Sequence, residues 1–421
     1  MKNAIRNKHW STWTLKQLEQ SVSTKNVDHG KTSVVESLTG VWTDVHSMEI
    51  KRGISIKLGY ADAVIRKCRK CKGVEGYTTE EKCPICGSPT TFVRKISFVD
   101  APGHETLMAI VIASVNIIDG ALLIIAANEK CPQPQTKEHT IVLEALDITN
   151  VVVVQNKIDL VSPEKAKENY NQIKDFLKET KFANAPIIPI SANYGINIDV
   201  LIDAIEKNIL TPPRDETKDP LLYIARSFDV NRPGTKIDKL VGGVVGGSLI
   251  QGRLSIGDEI EIRPGIILDL EKESKESKEH HPKPIISKIV GLNAGKEKLE
   301  SVKPGGLIGI ATLLDPSFTK ADSLVGNVVG LPGKLPPVHD EIIVNYRLFN
   351  RVDFENPPIK QDEFFVISVG TITTIGVVDR VKKGKISFKL RRSVCTSKGS
   401  RVALLRRIGQ RWRLAGQGTI E

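Results

Sequence analysis

Two kinds of apolar pattern divide this chain near residue 212. Ahead of that point, residues 121–127 are an unbroken apolar run and residues 151–155 a second that closes on Gln155, while residues 33–40, 107–119 and 136–146 carry apolar positions at helical spacing. An unbroken run of that length is how a strand buried on both faces reads. Shorter apolar strands are predicted at 96–99 and 187–190, and residues 51–65 alternate in strand fashion after a turn. Strands that alternate with helices through residue 210 predict a parallel sheet covered on both faces, with its ligand at the carboxyl ends of the strands. Beyond Thr211-Pro212-Pro213 the texture changes: LLYIARSFDV, GGVVGGSLI, GDEIEIRPG and GGLIGIAT are short alternating segments broken by Gly and Pro. Such segments build a β-barrel. The mixed-charge stretch at 271–284 fits a solvated loop between strands, and the proline-rich stretch at 331–337 precedes another strand-rich unit. The expected domains are 27–212, 213–331 and 332–421, with 1–26 as a separate N-terminal segment.

Polar motifs stand at the ends of these strands. The strand at 96–99 delivers Asp100, and Pro102-Gly103 then turns the chain to place His104 beside it. A carboxylate there can hold Mg²⁺ through water, a Gly backbone can approach a terminal phosphate, and a His can orient water. By itself Asp-Ala-Pro-Gly also fits an ordinary turn. Upstream, Lys25 to Thr32 reads KNVDHGKT, which satisfies the last three positions of a phosphate-binding loop but has Lys25 at its first Gly. In such a loop the backbone N–H groups and the helix start cradle phosphates, the Lys neutralises them and the hydroxyl binds Mg²⁺. Ser55 offers a further hydroxyl to Mg²⁺. The strand at 151–155 ends in Asn156-Lys157-Ile158-Asp159. A carboxylate at Asp159 can accept from N1–H and the 2-amino group of guanine, with Asn156 on the other edge and the Lys157 stem over the ring. Ser191-Ala192 follows the strand at 187–190 and offers a backbone N–H for guanine O6.

Composition narrows the setting. The 421 residues carry 60 Lys and Arg against 49 Asp and Glu, a net charge of +11, which favours a polyanionic partner. No run of 18 apolar residues occurs, so no membrane is expected as partner and a cytoplasmic location is. Four of the six Cys fall in Cys68-x₂-Cys71 and Cys83-x₂-Cys86. Two such knuckles suit a structural Zn²⁺, with no open position left for catalysis. Cys131 and Cys395 are isolated and fit packing roles. Residues 380–413 hold thirteen Lys or Arg and no acid, interleaved with Phe388 and Trp412, a candidate RNA-backbone surface that includes Arg391, Arg392, Arg406 and Arg407.

In order along the chain, Asp28-His29-Gly30-Lys31-Thr32, Arg52-Gly53-Ile54-Ser55-Ile56, Asp100-Ala101-Pro102-Gly103-His104-Glu105 and Asn156-Lys157-Ile158-Asp159 resemble a translational GTPase related to elongation factor Tu. IKLGYA at 56–61 with the four-Cys knuckle behind it, AANEKCPQPQTKEH, RSFDVNRPGT, GGVVGGSLIQG and LLDPSFTKAD resemble the gamma subunit of archaeal and eukaryotic initiation factor 2. The resemblance implies an α/β P-loop GTPase domain with a zinc-knuckle insertion at 68–86, followed by two β-barrel domains. It implies GTP/GDP, Mg²⁺ and Zn²⁺ as cofactors, and alpha and beta subunits, initiator methionyl-tRNA and the small ribosomal subunit as partners. Its activity would be GTP hydrolysis on start-codon selection. By the same resemblance Asp28, His29, Gly30, Lys31, Thr32, Ser33 and Gly103 face the phosphates. Thr32, Ser55 and Asp100 serve Mg²⁺, His104 the attacking water, and Asn156, Lys157, Asp159, Ser191 and Ala192 the guanine.

The chain departs from that family at its start. Where the family has an apolar strand and a Gly, this chain has SVSTKN at 21–26. A left-handed backbone at Lys25 costs about 1–2 kcal/mol. The alternatives are a nucleotide-free scaffold subunit, a misread start of the gene, or a selenocysteine-specific elongation factor, against which the knuckle speaks.

Overall fold

A computed structural model describes residues 29–43, 58–101, 108–266, 282–349, 354–409 and 411–421. The chain divides into two compact units, residues 1–105 with 118–211 and residues 106–117 with 212–421.

In the first unit, helix α1 (Lys31–Thr39) begins directly after Gly30 and ends at Gly40, whose left-handed backbone lets its N–H bond the Glu36 carbonyl. Strands β1 (Gly59–Cys68) and β3 (Thr90–Asp100) form a long antiparallel pair running from Gly59 opposite Asp100 to Cys68 opposite Thr90, and β2 (Tyr77–Thr78) adds to β1. The strand expected at 96–99 is therefore the end of an eleven-residue strand, and the cysteine knuckle sits at the far end of the ladder. Helix α2 (Met108–Val115), shorter than the 107–119 expected, belongs to the second unit, where the Asn116 amide donates to the Gly370 carbonyl at 2.7 Å.

The rest of the first unit alternates as its apolar runs predict: β4 (Ala121–Ala126), α3 (Pro134–Ala145), β5 (Val151–Asn156), α4 (Pro163–Lys178), β6 (Ile187–Pro189) and α5 (Ile198–Asn208). The three strands are parallel in the order β4-β5-β6. Every residue of β5 is buried because neighbours along it feed opposite cores. Val152 and Val154 pack with Ile124, Val34, Leu38, Leu201 and Ile205 on one face. Val151 and Val153 pack with Leu123, Ile125, Ile173 and Leu177 on the other. Among the described residues no strand joins β3 to β4, so the parallel and antiparallel sheets share an apolar core but no ladder.

The second unit contains two barrels. The first is built from β7 (Leu221–Phe228), β8 (Val244–Gln251), β9 (Leu254–Ser255), β10 (Glu259–Ile266), β11 (Lys283–Ala294), β12 (Glu297–Leu299), β13 (Ser301–Val302), β14 (Ile308–Thr312) and β15 (Val328–Gly330). Its six-stranded ring runs β10-β15-β7-β8-β14-β11 and closes through β10 and β11. The second is a closed barrel in the order β16-β19-β18-β17-β20-β21, from β16 (Val338–Leu348), β17 (Phe364–Val369), β18 (Ile372–Lys382), β19 (Lys385–Cys395), β20 (Arg401–Ile408) and β21 (Arg411–Ile420). Inward positions alternate along the strands, as Phe365 and Ile367 show on β17 and Ile386 and Phe388 on β19. The two isolated cysteines are packing residues: burial pushes the Cys131 and Cys395 thiols up to about 12. Cys395 lies among Val328 and Leu335 and donates to the Pro336 carbonyl at 3.2 Å.

Candidate functional site

Gly30 has a left-handed backbone, φ 78°, and a Cβ there would lie 2.5 Å from the Asn156 amide nitrogen and 3.6 Å from the Lys157 stem. Only glycine lets the phosphate loop and the base loop approach this closely. Asn156 Nδ2 donates to the His29 carbonyl at 3.1 Å. The His29 ring is held as well, Nδ1 against the Ile124 carbonyl at 2.8 Å and Nε2 against Glu129 Oε2 at 3.2 Å. Lys31 and Ser33 then lie in the first turn of α1, whose leading N–H groups lack intrahelical acceptors and suit an anion. On α3, burial above all, with a smaller electrostatic effect of Lys31, pushes the His139 imidazole down to about 4.

The expected Mg²⁺ hydroxyl and carboxylate are together. Thr32 Oγ1 donates to Asp100 Oδ2 at 2.8 Å, with Thr32 6% and Asp100 3% exposed. A hydroxyl that gives its proton to the carboxylate keeps its lone pairs for a cation, so these residues fit Mg²⁺. Thr43, which no sequence motif singled out, donates to the same oxygen at 2.7 Å. Asp28, Ser55, Gly103 and His104 lie outside the described residues, as does Lys25.

On the base side Lys157 takes a left-handed backbone, φ 62°, which turns the chain from β5 into a short 3₁₀ turn carrying Asp159. Ser191 Oγ donates to Asp159 Oδ1 at 2.6 Å, and the Ala192 N–H donates to Asn156 Oδ1 at 3.2 Å. Asn156 thus spans the phosphate loop and the loop after β6 with both ends of its amide. Sequence reasoning put Asn156 at the base and missed this bridge, and it missed the support beneath it. Gln155 Nε2 donates to Asn169 Oδ1 at 2.9 Å, and Asn169 Nδ2 to the Glu129 carbonyl at 2.6 Å. A buried Asn on the inner face of α4 was the available signal.

The four knuckle cysteines converge, with all four Sγ atoms within 4.8 Å of one another. Cys68 to Cys86 is 3.5 Å and Cys71 to Cys83 is 3.7 Å. A disulfide would need about 2.0 Å, whereas four thiolates about 2.3 Å from one Zn²⁺ stand about 3.8 Å apart. The donor set therefore fits Zn²⁺. Hydrogen bonds from Ser88, first its hydroxyl, lower the Cys86 thiol to about 6.

The basic surface needs one correction. Arg406 is only 4% exposed: it lies in the second barrel with a bidentate bond to Glu363 at 2.6 and 2.9 Å, further bonds to Asn356 and the Pro357 carbonyl, and its guanidinium 5.3 Å from the Phe365 ring centre. A guanidinium fits that buried acceptor set because all its donors find partners. Burial raises the Glu363 carboxyl, but the Arg406 guanidinium together with Lys360 holds it below the usual range. Phe388 is fully buried in the same barrel. Neither side chain is available to RNA, whereas Lys389, Arg391, Arg392 and Arg407 are exposed.

The family described as Elongation factor Tu GTP binding domain matches residues 21–211, and Initiation factor eIF2 gamma, C terminal, matches 340–420. Translation initiation factor 2 subunit gamma of Methanococcus maripaludis (strain C7) is 54% identical over 94% of this chain and 96% of its own length. The proteins of that name from Methanocaldococcus jannaschii and Pyrococcus horikoshii are each 52% identical over 94% of this chain. Among solved structures, a bacterial selenocysteine-specific elongation factor superposes with TM-score 0.69 at 22% identity, this chain spanning 56% of it. Elongation factor SelB of Methanococcus maripaludis, in complex with the GTP analogue GppNHp, gives 0.68 at 22% identity over 94% of this chain and 77% of its own. At that identity the two structures share the fold alone. Among the described residues no helix is long and apolar enough to cross a membrane. The chain belongs to the translation initiation factor 2 subunit gamma family, and it is a translation initiation factor GTPase of the elongation factor Tu type.

Proposed function

We propose that this chain, in its GTP form and with alpha and beta subunits, carries initiator methionyl-tRNA to the small ribosomal subunit, and that hydrolysis on start-codon selection releases it. The observation behind this reading is identity of 52–54% to initiation factor 2 gamma subunits along 94% of the chain. In the proposed roles Asp28, His29, Gly30, Lys31, Ser33 and Gly103 hold the phosphates. Asp159, oriented by Ser191, accepts from guanine, with Ala192, Asn156 and Lys157 enclosing the base. Thr32, Ser55 and Asp100 hold Mg²⁺, which neutralises charge on the phosphates when bound. His104 orients the attacking water. Cys68, Cys71, Cys83 and Cys86 hold a structural Zn²⁺ that ties the far end of the β1 and β3 ladder. A nucleotide-free scaffold is not favoured, since the match to the elongation factor Tu GTP binding domain spans residues 21–211.

The test is filter binding of initiator methionyl-tRNA to the assembled heterotrimer, with a non-hydrolysable GTP analogue or with GDP. Binding about tenfold tighter or more with the analogue supports the reading, and equal affinity in both states overturns it. Charge reversal at Arg391, Arg392 and Arg407 is expected to weaken tRNA binding. The slope of log affinity against log salt should become shallower by about one for each phosphate that is no longer neutralised.

A further inference from the structure

Thr43 is 8% exposed and stands where α1 has ended and β1 has not begun. Its hydroxyl reaches Asp100 Oδ2 at 2.7 Å, the oxygen that also accepts from Thr32 at 2.8 Å. The ladder sets Gly59 opposite Asp100. A Cβ at Gly59 would fall 2.6 Å from Thr43 Cβ and 3.3 Å from Asp100 Cβ, so the Thr43 side chain occupies the space that a larger residue 59 would fill. Thr43 is therefore wedged against the carboxylate, and its placement needs the bare backbone of Gly59.

We propose that Thr43 is a positioning residue of the Mg²⁺ site, acting through Asp100; the inference rests on the GTPase reading of that site. A carboxylate that holds a metal through water must present its oxygens in one orientation, and a side chain at the end of a strand can rotate. Two hydroxyl donors on Oδ2, each a charge-assisted bond, remove that freedom. Thr32 is itself expected at the metal, whereas Thr43 acts only on the carboxylate. Partners of this outer kind commonly change metal affinity by about 10–100-fold when removed.

The experiment is release of fluorescent GDP from the full chain as free Mg²⁺ is lowered with a chelator, for wild type, Thr43→Val and Thr43→Ser. Thr43→Val is expected to raise the Mg²⁺ concentration that half-suppresses release by about tenfold, Thr43→Ser to restore it, and release in excess chelator to stay the same for all three. A purely structural role would instead speed release equally with and without Mg²⁺, and that result overturns the inference, as does an unchanged midpoint. Should Thr43→Val fail to fold by thermal unfolding, Thr43→Ala is judged by the same midpoint. A wild-type chain that retains no GDP at any Mg²⁺ concentration would overturn the GTPase reading and this inference with it.

Discussion

The two sheets of the nucleotide-binding unit hold their functional groups in different ways. The parallel sheet is buried on both faces, and β5 has no exposed residue. At its carboxyl end Asn156, Asp159, Ser191 and Ala192 are bonded to one another and to His29. In the antiparallel sheet most of β3 is only partly buried, and Asp100 at its end is held by hydroxyls from Thr32 and Thr43, outside the strand. Asp159 is bonded by a motif residue, Ser191, while Asp100 takes one bond from the motif residue Thr32 and a second from Thr43, which belongs to no motif. Strands buried on both faces bring their end residues together as neighbours, whereas the half-solvated β3 has its end residue bonded from outside the sheet.

The largest effect should come from the base side. Asp159→Asn removes a charged acceptor for two guanine donors, each such bond contributing about 1.5–3 kcal/mol. GDP affinity should fall about a thousandfold in a fluorescence titration, with the thermal unfolding profile nearly unchanged. A loss below about tenfold would mean that the parallel sheet does not carry base recognition.

Next is removal of metal from the knuckle, which probes how far the antiparallel sheet is independent. The ladder runs from Cys68 and Thr90 back to Gly59 and Asp100 with one bulge between Ile65 and Arg66, and four free thiols side by side would replace the metal links. A strong Zn²⁺ chelator should lower hydrogen-exchange protection of the β1 and β3 amides about a hundredfold. Protection in β4 and β5, which share no ladder with them, should hold. Equal loss in both sheets would show that the two sheets open as one unit.

A smaller effect should come from acid. The His139 imidazole is pushed down to about 4 from an ordinary 6.5, so the unfolded chain binds its proton first as pH falls. The stability contributed by the neutral His139 is fully present above pH 6.5 and is lost progressively from there toward pH 4. His139 is partly exposed by surface area although its ring is densely enclosed, and solvent trims the loss to about 2 kcal/mol over that window. Thermal unfolding of His139→Gln from pH 7 to pH 4 should show a shallower decline than wild type. Parallel curves would remove His139 from this role.

How much of this was legible in the sequence follows from the same contrast. The runs at 121–127 and 151–155 became β4 and β5 almost residue for residue, because a strand buried on both faces leaves no polar ambiguity. Of the alternation expected at 51–65, residues 59–65 lie in β1, which continues to Cys68 because the knuckle caps the ladder rather than interrupting it; residues 51–57 lie outside the described residues. Arg406 was misplaced in the basic surface because charge reads as exposure until the acceptors are known. Glu363 and Asn356 lie 43 and 50 residues away in sequence and leave no local signal. Thr43 was invisible for the same reason, its partner Asp100 being 57 residues on.

The smallest effect asks whether the base side is as pre-set as it looks. Ser191 is fully buried, and its hydroxyl donates to Asp159 Oδ1 at 2.6 Å. Removing the hydroxyl frees Asp159 to rotate but leaves the carboxylate and its charge in place. Ser191→Ala should therefore weaken GDP about tenfold, the value of one hydrogen bond to a charged group at the low end of its range, and raise its dissociation rate. The guanine over adenine preference should persist, since it comes from Asp159 itself. A Ser191→Ala chain that binds GDP like wild type would show that the sheet alone aims Asp159, which would widen the difference between the two sides. A loss near that of Asp159→Asn would show that the base side also depends on a supporting hydroxyl, as Asp100 does on Thr43.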